Sequence, residues 1–336
     1  MSDTSTGSTR LAVTSSPHIA AGVTCSNIML WVVGSLAPAA VWAMISMGWP
    51  AVQLFALCIG SSLLTEFAWN AIAKKKQTLM DGSALVTGTL LAMCMPPMLP
   101  WWMAVFAGLI AIGLGKMIFG GLGWNLFNPA LVGRAFVLLS WSGVLSKLPN
   151  KGWFATLDIP AKGGLDAISG ATRLAVAAAD RAASGGYGFS LAEQYQPLLW
   201  RNLEGSLGEV SAALLILGGL VLLAKGIIDW RIPAGYIGTV AALSWAFGSD
   251  PIFQVLAGGV LLGAFFMATD YVSSPMTRNG RLVFGIGCGL FNVVGRFFGP
   301  SPESTTFAIL FMNGLAPLID KMFTPRTFGW VKRDEE

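Results

Sequence analysis

Charged side chains are scarce in this sequence. Asp, Glu, Lys and Arg make up 11% of its 336 residues, whereas soluble globular domains carry about 25%, and 54% of the residues are hydrophobic. A soluble fold of this size would have too few polar residues to cover its surface. The composition therefore predicts a polytopic membrane protein. Nucleic-acid binding is excluded as well, because the net charge of +4 comes from scattered residues and forms no basic stripe.

Histidine and paired cysteines are also missing. His18 is the only histidine, so the chain alone cannot build a histidine metal site or an imidazole triad. The four cysteines form no CxxC pair, and three of them lie inside apolar runs, where a buried thiol is the usual interpretation. We therefore predict no metal site, no disulfide framework and no iron–sulfur cluster held by this chain. The polar first residues predict a cytoplasmic segment and not a cleaved signal peptide.

Long hydrophobic runs are what the sequence has in abundance. A membrane-spanning helix needs about 20 mostly apolar residues, and this criterion predicts ten segments: 21–46, 49–73, 83–95, 99–119, 127–145, 206–224, 233–247, 252–269, 282–298 and 305–323. The third and the seventh are short, which is typical of broken helices that line a cavity or are buried by protein. The predicted organisation is a segment 1–20, a first transmembrane half 21–145, a loop 146–205, a second half 206–323 and a tail 324–336.

Basic residues predict the orientation of these segments. With a cytoplasmic N-terminus, thirteen of them fall on the cytoplasmic side: Arg10, Lys74, Lys75, Lys76, Lys116, Lys225, Arg231, Arg278, Arg281, Lys321, Arg326, Lys332 and Arg333. The short loops on the other side carry none. Because short cytoplasmic loops are enriched in Lys and Arg, both termini are predicted to be cytoplasmic and the 146–205 loop to be extracytoplasmic.

A short internal echo predicts two halves of opposite orientation. The sequence GKMIFG, which contains Lys116, ends the fourth segment, and GRFFG, which contains Arg296, ends the ninth. Five segments separate them, an odd number, so the halves would be inverted. Inverted repeats of this kind place a functional site at their interface, and Lys116 and Arg296 should then lie near opposite membrane faces.

Few polar side chains inside the predicted spans are candidates for chemistry. Glu66 is the acidic residue most firmly embedded in a span, which suggests either an ion path or a helix-to-helix contact. Arg134 and Arg296 would pair with acidic groups or bind a phosphate or carboxylate. The run Gly120–Gly123, with Asn125 and Asn128 after it, follows no strand, so it is not a dinucleotide fingerprint. It predicts either a tight loop with a helix cap or a close approach of backbone to a flat ring.

The 146–205 loop contains the sequence DAISGATRLAVAAAD. Its residues favour a turn that leads into a short helix over 171–179. A phosphate at that helix start would meet free backbone amides and the positive end of the helix dipole, and Arg173 would add charge-assisted hydrogen bonds. The physics thus permits a phosphate-bearing group at Thr172 without requiring one.

Several longer motifs resemble a known family over nearly the whole chain. They are DGSALVTGTLLAMCMPP, FGGLGWNLFNPALVGRAF, DAISGATRLA, NLEGSLGE, MATDYVSSPMTRNGR and FAILFMNGLAPLID. The family is that of the D subunits of Rnf electron-transport complexes. The B subunits of sodium-pumping NADH:quinone oxidoreductases are similar at a greater distance and have a longer N-terminal extension.

The resemblance implies a covalent cofactor. In this family the last residue of DxxSGAT carries FMN through a phosphodiester bond, which a flavin transferase makes from FAD with Mg²⁺. The motif maps FMN onto Thr172, with Asp166, Ser169, Gly170 and Ala171 as its recognition and packing environment. A second, non-covalent flavin such as riboflavin is also implied, and no motif places it. No catalytic residue is assigned to the chain itself.

The resemblance also implies a fold, partners and a location. It predicts an all-α, urea-transporter-like membrane domain of ten helices in two inverted five-helix halves, in the bacterial inner membrane, with the flavin loop in the periplasm. The function implied is electron transfer within a complex that couples ferredoxin and NAD electron exchange to Na⁺ or H⁺ translocation. Other membrane subunits, and partners with iron–sulfur and NAD-binding sites, would complete it. A quinone-reducing sodium pump and a small-solute channel or permease remain the alternatives.

Overall fold

Helices make up the regular structure of the described part of the chain, and no strand occurs there. The computed structural model describes residues 24–145, 174, 177, 191–202, 205–299 and 304–324. In the first half the helices are α1 Cys25–Met47, α2 Trp49–Ile72, α3 Ser83–Cys94, α4 Trp101–Ile112, α5 Pro129–Ser140 and α6 Ser142–Leu145. They are followed by α7 Leu191–Trp200, α8 Ala212–Ala224, α9 Arg231–Ala246, α10 Pro251–Leu256, α11 Val260–Leu262, α12 Arg278–Phe298 and α13 Thr305–Met322. Short 3₁₀ turns occur at Leu79–Asp81 and Leu207–Glu209.

Three of these helices are long and apolar enough to cross a membrane by length and composition: α1, α2 and α12. Shorter apolar helices follow the same sequence pattern, among them α3, α5 and α8. The described structure is therefore that of a helical membrane protein, as the composition predicts.

Each of the ten predicted segments contains helical structure, but one break lies elsewhere than expected. The third segment ends at Cys94, before Pro96 and Pro97, as predicted. The seventh was expected to be broken and is instead the continuous helix α9. The break lies in the eighth segment, between α10 and α11, because Gly258 and Gly259 have φ angles of 73° and 68°, values incompatible with a right-handed helix.

Two helices change pitch where they approach their ends. α4 continues into a π-helical turn at Gly113–Met117, and α11 continues into another at Gly263–Met267. Such π turns are rare and occur often at functional sites. Both lead into irregular, glycine- or serine-containing connections, 118–128 and 268–277.

The helices pack in two similar sets. In the first, α2 packs against α3 and α4, and α4 packs against α5. In the second, α9 packs against α10 and α12, and α12 packs against α13. The sets meet where α1 packs against α8 and where α5 packs against α13.

Hydrogen bonds between elements define the two ends of this bundle. At one, which we call the Ser83 end, Ser26 Oγ near the start of α1 donates to the Met80 carbonyl at 3.1 Å, just before α3 begins. At the other, the Trp200 end, Trp42 Nε1 donates to the Trp200 carbonyl at 2.7 Å. The Leu207 amide donates there to the carbonyl that follows α3, that of Met95, at 3.2 Å.

Glycines let neighbouring helices approach closely at the sequence GIGCG, residues 285–289, whose small residues predict a face for helix contact. A Cβ at Gly285 of α12 would lie 2.5 Å from the Ile232 carbonyl oxygen on α9, and one at Gly289 would lie 2.8 Å from the Tyr236 carbonyl oxygen. In an apolar surrounding such backbone contacts drive helix association through van der Waals packing. The α9–α12 contact therefore depends on the absence of side chains at these positions.

Replacing Gly285 by Ala should destabilise the protein by about 1–3 kcal/mol, because the added methyl group overpacks the α9–α12 contact. The matched control is Gly238→Ala, since Gly238 lies in α9, the other helix of this contact, and a methyl group added there would meet no atom within 4 Å. Thermal unfolding of the purified protein in detergent measures both. An unchanged midpoint for Gly285→Ala would contradict the close approach.

Candidate functional site

A buried ion pair lies at the Ser83 end. Lys116 Nζ, in the π turn after α4, is 2.8 Å from Glu66 Oε2 and donates to Ser83 Oγ at 2.5 Å. Thr78 Oγ1 donates to the second carboxylate oxygen, Glu66 Oε1, at 2.5 Å. Ser83 Oγ donates in turn to Asp81 Oδ1 at 2.5 Å. The side chains of Lys116 and Glu66 are 3% and 0% exposed, so the pair is shielded from water.

This pair corrects the sequence analysis at Lys116. From the distribution of basic residues, Lys116 is predicted to belong to a cytoplasmic connection, but it lies within helical structure and is buried. Its ammonium group reaches inward to Glu66 because the carboxylate supplies a charge that the apolar interior otherwise lacks. For Glu66, which the sequence leaves between an ion path and a helix-to-helix contact, the structure shows a contact between α2 and the end of α4.

A cleft of about 740 Å³, its open part included, begins beside this ion pair. We call it the central cleft, and it lies between the two sets of helices. It is lined by Ile28, Met29, Val32, Ser83, Val86, Thr87, Leu90, Lys116, Leu122, Asn125, Asn128, Pro129, Leu222, Ile227, Ile228, Phe265, Phe266, Thr269, Asp270 and Tyr271. Apolar walls with a few convergent polar groups are typical of cofactor sites.

The glycine–asparagine connection forms one wall of the central cleft. Asn128 caps α5, because its side-chain oxygen accepts from the amides of Ala130 and Leu131, and its Nδ2 donates to the Met267 carbonyl at 3.1 Å. That bond joins the start of α5 to the π turn after α11. The cap predicted from the sequence is confirmed, and the same connection also lines the central cleft.

Asp270, in the connection 268–277, supplies an acidic group to the same cleft. Ser273 Oγ donates to its Oδ2 at 2.9 Å, and Asn125 also lies within reach of its carboxyl group. Burial raises the pKa of Asp270, and the hydrogen bonds from Ser273, Val272 and Asn125 oppose that rise without cancelling it. The central cleft is thus lined by Lys116, whose charge is paired with Glu66, and by an acidic group with a raised pKa.

At the Trp200 end, a small apolar cluster holds the chain that follows the DAISGAT motif. Leu174 and Ala177 are helical and 3% and 2% exposed. They pack with Leu198 of α7, Phe253 of α10 and Ala257. The helix predicted over 171–179 is therefore confirmed at these two described positions.

Arg296 donates hydrogen bonds to the backbone at the break in the eighth segment, which lies beside this cluster. Its Nη1 donates to the Gln254 carbonyl at 2.5 Å and to Gln254 Oε1 at 2.9 Å, and its Nη2 donates to the Ala257 carbonyl at 2.8 Å. Leu174 approaches the same break, since a Cβ at Gly258 would lie 2.6 Å from both Leu174 Cδ2 and Arg296 Nη2. These bonds satisfy carbonyls at the end of α10.

The two cations of the sequence echo lie at opposite ends of the bundle. Lys116 contacts Ser83, which defines one end. Arg296 contacts the end of α10, and α10 is joined to the Trp200 end because Tyr195 Oη donates to Asp250 Oδ2 at 2.6 Å. The echo predicts opposite membrane faces for these two residues, and that placement in the membrane stays a prediction.

The predicted flavin-motif residues Asp166, Ser169, Gly170, Ala171 and Thr172 lie outside the described residues. Arg134 was, like Arg296, a candidate to pair with an acidic group or to bind a phosphate or carboxylate. Its side chain is buried, with 8% exposed, and lies against the Cys94 thiol. Among the described residues no group of three or more His, Cys, Asp or Glu side chains could hold a metal ion.

The sequence did not indicate that Lys116 and Asp270 line the same cleft. For Lys116, the sequence feature that could have indicated a buried position is its place at the end of an unbroken apolar run, with Glu66 embedded in another such run. Nothing in the spacing of Asp270 pointed to the cleft, because its wall is built from both halves of the chain.

Known proteins are similar to this chain over almost its full length. The model of the NQR2, RnfD, RnfE family matches residues 12–329. The D subunit of the Na(+)-translocating ferredoxin:NAD(+) oxidoreductase complex of Acetobacterium woodii is 42% identical over 326 residues, which cover 97% of this chain and 98% of that protein. The D subunit of the proton-translocating ferredoxin:NAD(+) oxidoreductase complex of Clostridium ljungdahlii is 39% identical, with 94% and 96% covered. The D subunit of the ion-translocating oxidoreductase complex of Stutzerimonas stutzeri is 41% identical, with 90% and 92% covered.

The buried ion pair can be tested by a double-mutant cycle. Glu66→Met and Lys116→Met should each destabilise the protein by about 3–5 kcal/mol, because each leaves one buried charge without its partner. The double substitution should recover much of that loss, since no charge then remains. Thermal unfolding of the four proteins measures the coupling, and additive losses would show that the two side chains do not stabilise each other.

Proposed function

Because the chain belongs to the NQR2, RnfD, RnfE family, we propose that it is the electron-transferring membrane subunit of an Rnf-type complex. This complex would couple electron exchange between ferredoxin and NAD⁺ to ion translocation across the membrane. The observation that carries the proposal is the full-length similarity to three proteins named as the D subunits of such complexes. One of these proteins is named for Na⁺ and another for protons, and the two are 42% and 39% identical to this chain. The proposal therefore covers both ions.

The redox group of the subunit is proposed to be FMN, bound covalently to Thr172. A phosphodiester at the Thr172 hydroxyl would place the phosphate at the start that the sequence predicts for the helix containing Leu174 and Ala177, where free amides would favour an anion. Asp166, Ser169, Gly170 and Ala171 would form the motif that a flavin transferase recognises. The flavin, when bound, supplies one- and two-electron transfer, while the protein supplies its position and electrostatic surroundings.

The described residues next to the motif fit that role. Leu174 follows Thr172 by two positions, and its side chain is buried against Phe253 and Ala257. A group attached at Thr172 would be two residues away from this anchored side chain, which would limit its distance from the end of α10. Electron transfer needs such a fixed distance, so the anchor supports an attachment site on this loop.

A second, non-covalent flavin such as riboflavin is proposed for the central cleft. Its walls contain Phe265, Phe266 and several aliphatic side chains, which suit the faces of a flat heteroaromatic ring. Lys116 and Asp270 provide polar groups at its edge. The central cleft lies toward the Ser83 end, and the covalent site is proposed toward the Trp200 end. Two flavins in these positions would let electrons cross the bundle in two shorter steps.

The proposed membrane arrangement is ten spans in two inverted, urea-transporter-like halves, 21–145 and 206–323, separated by the 146–205 loop. The repeated packing of the two helix sets and the opposite positions of Lys116 and Arg296 support it. The basic residues Lys74, Arg231 and Arg278 lie at the Ser83 end, so we propose that this end is cytoplasmic. The protein would lie in the bacterial inner membrane, with both termini in the cytoplasm and the flavin loop in the periplasm.

The partners follow from what the chain lacks. It contains no sequence motif for NAD or for an iron–sulfur cluster, so other subunits of the complex would supply those groups. Two alternatives are retained. A quinone-reducing sodium pump would use the same flavin but a different acceptor, and assays of the whole complex with ferredoxin, NAD⁺ and quinone distinguish the two. A channel or permease of similar fold would carry no covalent flavin.

Thr172→Val should abolish covalent FMN, because it keeps the side-chain volume but removes the hydroxyl that forms the phosphodiester. Thr172→Ser should keep partial labelling, and Asp166→Ala should reduce it without removing the acceptor. Yellow-green fluorescence of the polypeptide after denaturing electrophoresis, with mass spectrometry of the loop peptide, measures each.

Thr156→Val is the matched control for this experiment, since Thr156 lies in the same loop outside the motif. It should keep full fluorescence. Covalent FMN on the Thr172→Val protein would show that the attachment site lies at another residue. A wild-type protein without flavin fluorescence would favour the permease alternative.

Reporter fusions test the proposed orientation. A reporter inserted near Gly185 should be active only outside the cytoplasm, and one fused after Trp330 should be active only inside, because the short loops with basic residues lie on the cytoplasmic side. Alkaline phosphatase and green fluorescent protein, which are active on opposite sides of the membrane, provide the two readouts. Cytoplasmic activity of the reporter at Gly185 would show that the proposed topology is wrong and that the flavin loop is not periplasmic.

A further inference from the structure

A second cleft lies beside the central cleft at the Ser83 end. Its volume is about 1,050 Å³, its open part included. We call it the basic cleft, and Arg231, Arg281, Trp230 and Leu223 are among the residues that line it. Tyr271 lies between the two clefts, because it lines both and its hydroxyl donates to the Ile227 carbonyl.

Two arginines in the basic cleft share one carboxylate. Arg231 Nη1 lies 3.2 and 3.0 Å from the two carboxylate oxygens of Asp229, and Arg281 Nη1 lies 3.0 Å from Asp229 Oδ2. Asp229 is the only acidic residue among the described residues that line this cleft. Two positive charges against one negative charge leave the cleft with a net positive charge.

The carboxylate of Asp229 stays ionised, so this charge balance holds over the ordinary pH range. Partial burial raises the pKa of Asp229, but the hydrogen bonds from the Arg231 amide and from both guanidinium groups outweigh that effect and hold the pKa below its usual value. The side chains of Arg231 and Arg281 remain 28% and 30% exposed. Their guanidinium groups therefore keep N–H donors that a ligand in the cleft can reach.

The chemistry of this cleft selects a phosphate group. Guanidinium groups bind phosphate oxygens in paired, charge-assisted hydrogen bonds, and basic pockets between helices at the cytoplasmic side of a membrane bind lipid headgroups. Trp230, at the rim, is 59% exposed, which is typical of aromatic residues at the membrane boundary. Leu223 on α8 continues the cleft onto the apolar surface of the bundle.

We propose that the basic cleft binds the phosphate headgroup of an anionic phospholipid through Arg231 and Arg281, with the acyl chains along the apolar surface next to α8. A soluble phosphate ester would offer the same anion but no acyl chain for that surface. The inference does not depend on either flavin and requires only that the helices lie in a membrane.

Lipid rebinding to the whole complex tests this site. The complex is purified in mild detergent, depleted of lipid, and titrated with phosphatidylglycerol, phosphatidylcholine or inorganic phosphate while native mass spectrometry counts the bound molecules. The wild type should bind phosphatidylglycerol in preference to phosphatidylcholine. Arg231→Gln and Arg281→Gln should each weaken that binding about fivefold, as expected for the loss of about 1 kcal/mol per basic residue.

Three further variants separate binding from a purely structural role. Arg278→Gln removes an exposed charge three residues from Arg281 and should leave binding unchanged. Asp229→Asn removes the counter-charge and should strengthen the binding of phosphatidylglycerol, whereas a cluster that only stabilises the fold would show no gain. Arg231→Lys with Arg281→Lys keeps the charge and should bind better than the double Gln variant.

The outcomes are decisive in both directions. Unchanged phosphatidylglycerol binding in the double Gln variant, or an equal loss in Arg278→Gln, would overturn the site. Displacement of the lipid by an equal concentration of inorganic phosphate would assign the cleft to a soluble anion and would also overturn it. If the double Gln variant does not assemble, as judged by the mobility of the complex on a native gel, Asp229→Asn and the double Lys variant decide the question.

Discussion

Arg296 and Lys116 carry charge into an interior that cannot solvate it, and the structure around each is arranged to supply what water would. Arg296 donates to carbonyls that the end of α10 cannot use within its own helix. Lys116 meets the carboxylate of Glu66. An apolar surrounding makes an unpaired charge or backbone group costly by several kcal/mol. Breaks and polar groups therefore persist here only where another element completes them.

The same requirement explains where the clefts lie. The central cleft forms where α4 and α11 both end in π turns and where the following connections leave the regular helix. Asn128 holds these two regions together, because it caps α5 and also donates to the Met267 carbonyl of the other half. A space between two halves that are joined by a few polar bonds can take a ligand without loss of helix packing.

Polar groups at the two ends of the bundle differ in kind. The Ser83 end combines an ion pair, an acidic group in a cleft and the arginine pair of the basic cleft, whereas the Trp200 end uses backbone carbonyls, one arginine and an apolar cluster around Leu174. This difference supports the proposed arrangement, in which lipid headgroups bind at the Ser83 end and the loop proposed to carry FMN lies at the Trp200 end.

The sequence by itself determined the class of protein, the helical segments and the family. Low charge, long apolar runs and the DAISGAT motif are local properties, and local composition decides whether a segment can be a helix in lipid. It also predicted the Asn128 cap and the small-residue contact at Gly285, because both depend on a few neighbouring residues. Only the tertiary structure decided that the break lies at Gly258 and Gly259, that Lys116 turns inward to Glu66, and that Asp229 is shared by Arg231 and Arg281. The two charge pairings join residues 50 and 52 positions apart in the chain, and a pairing across such distances depends on how the helices pack.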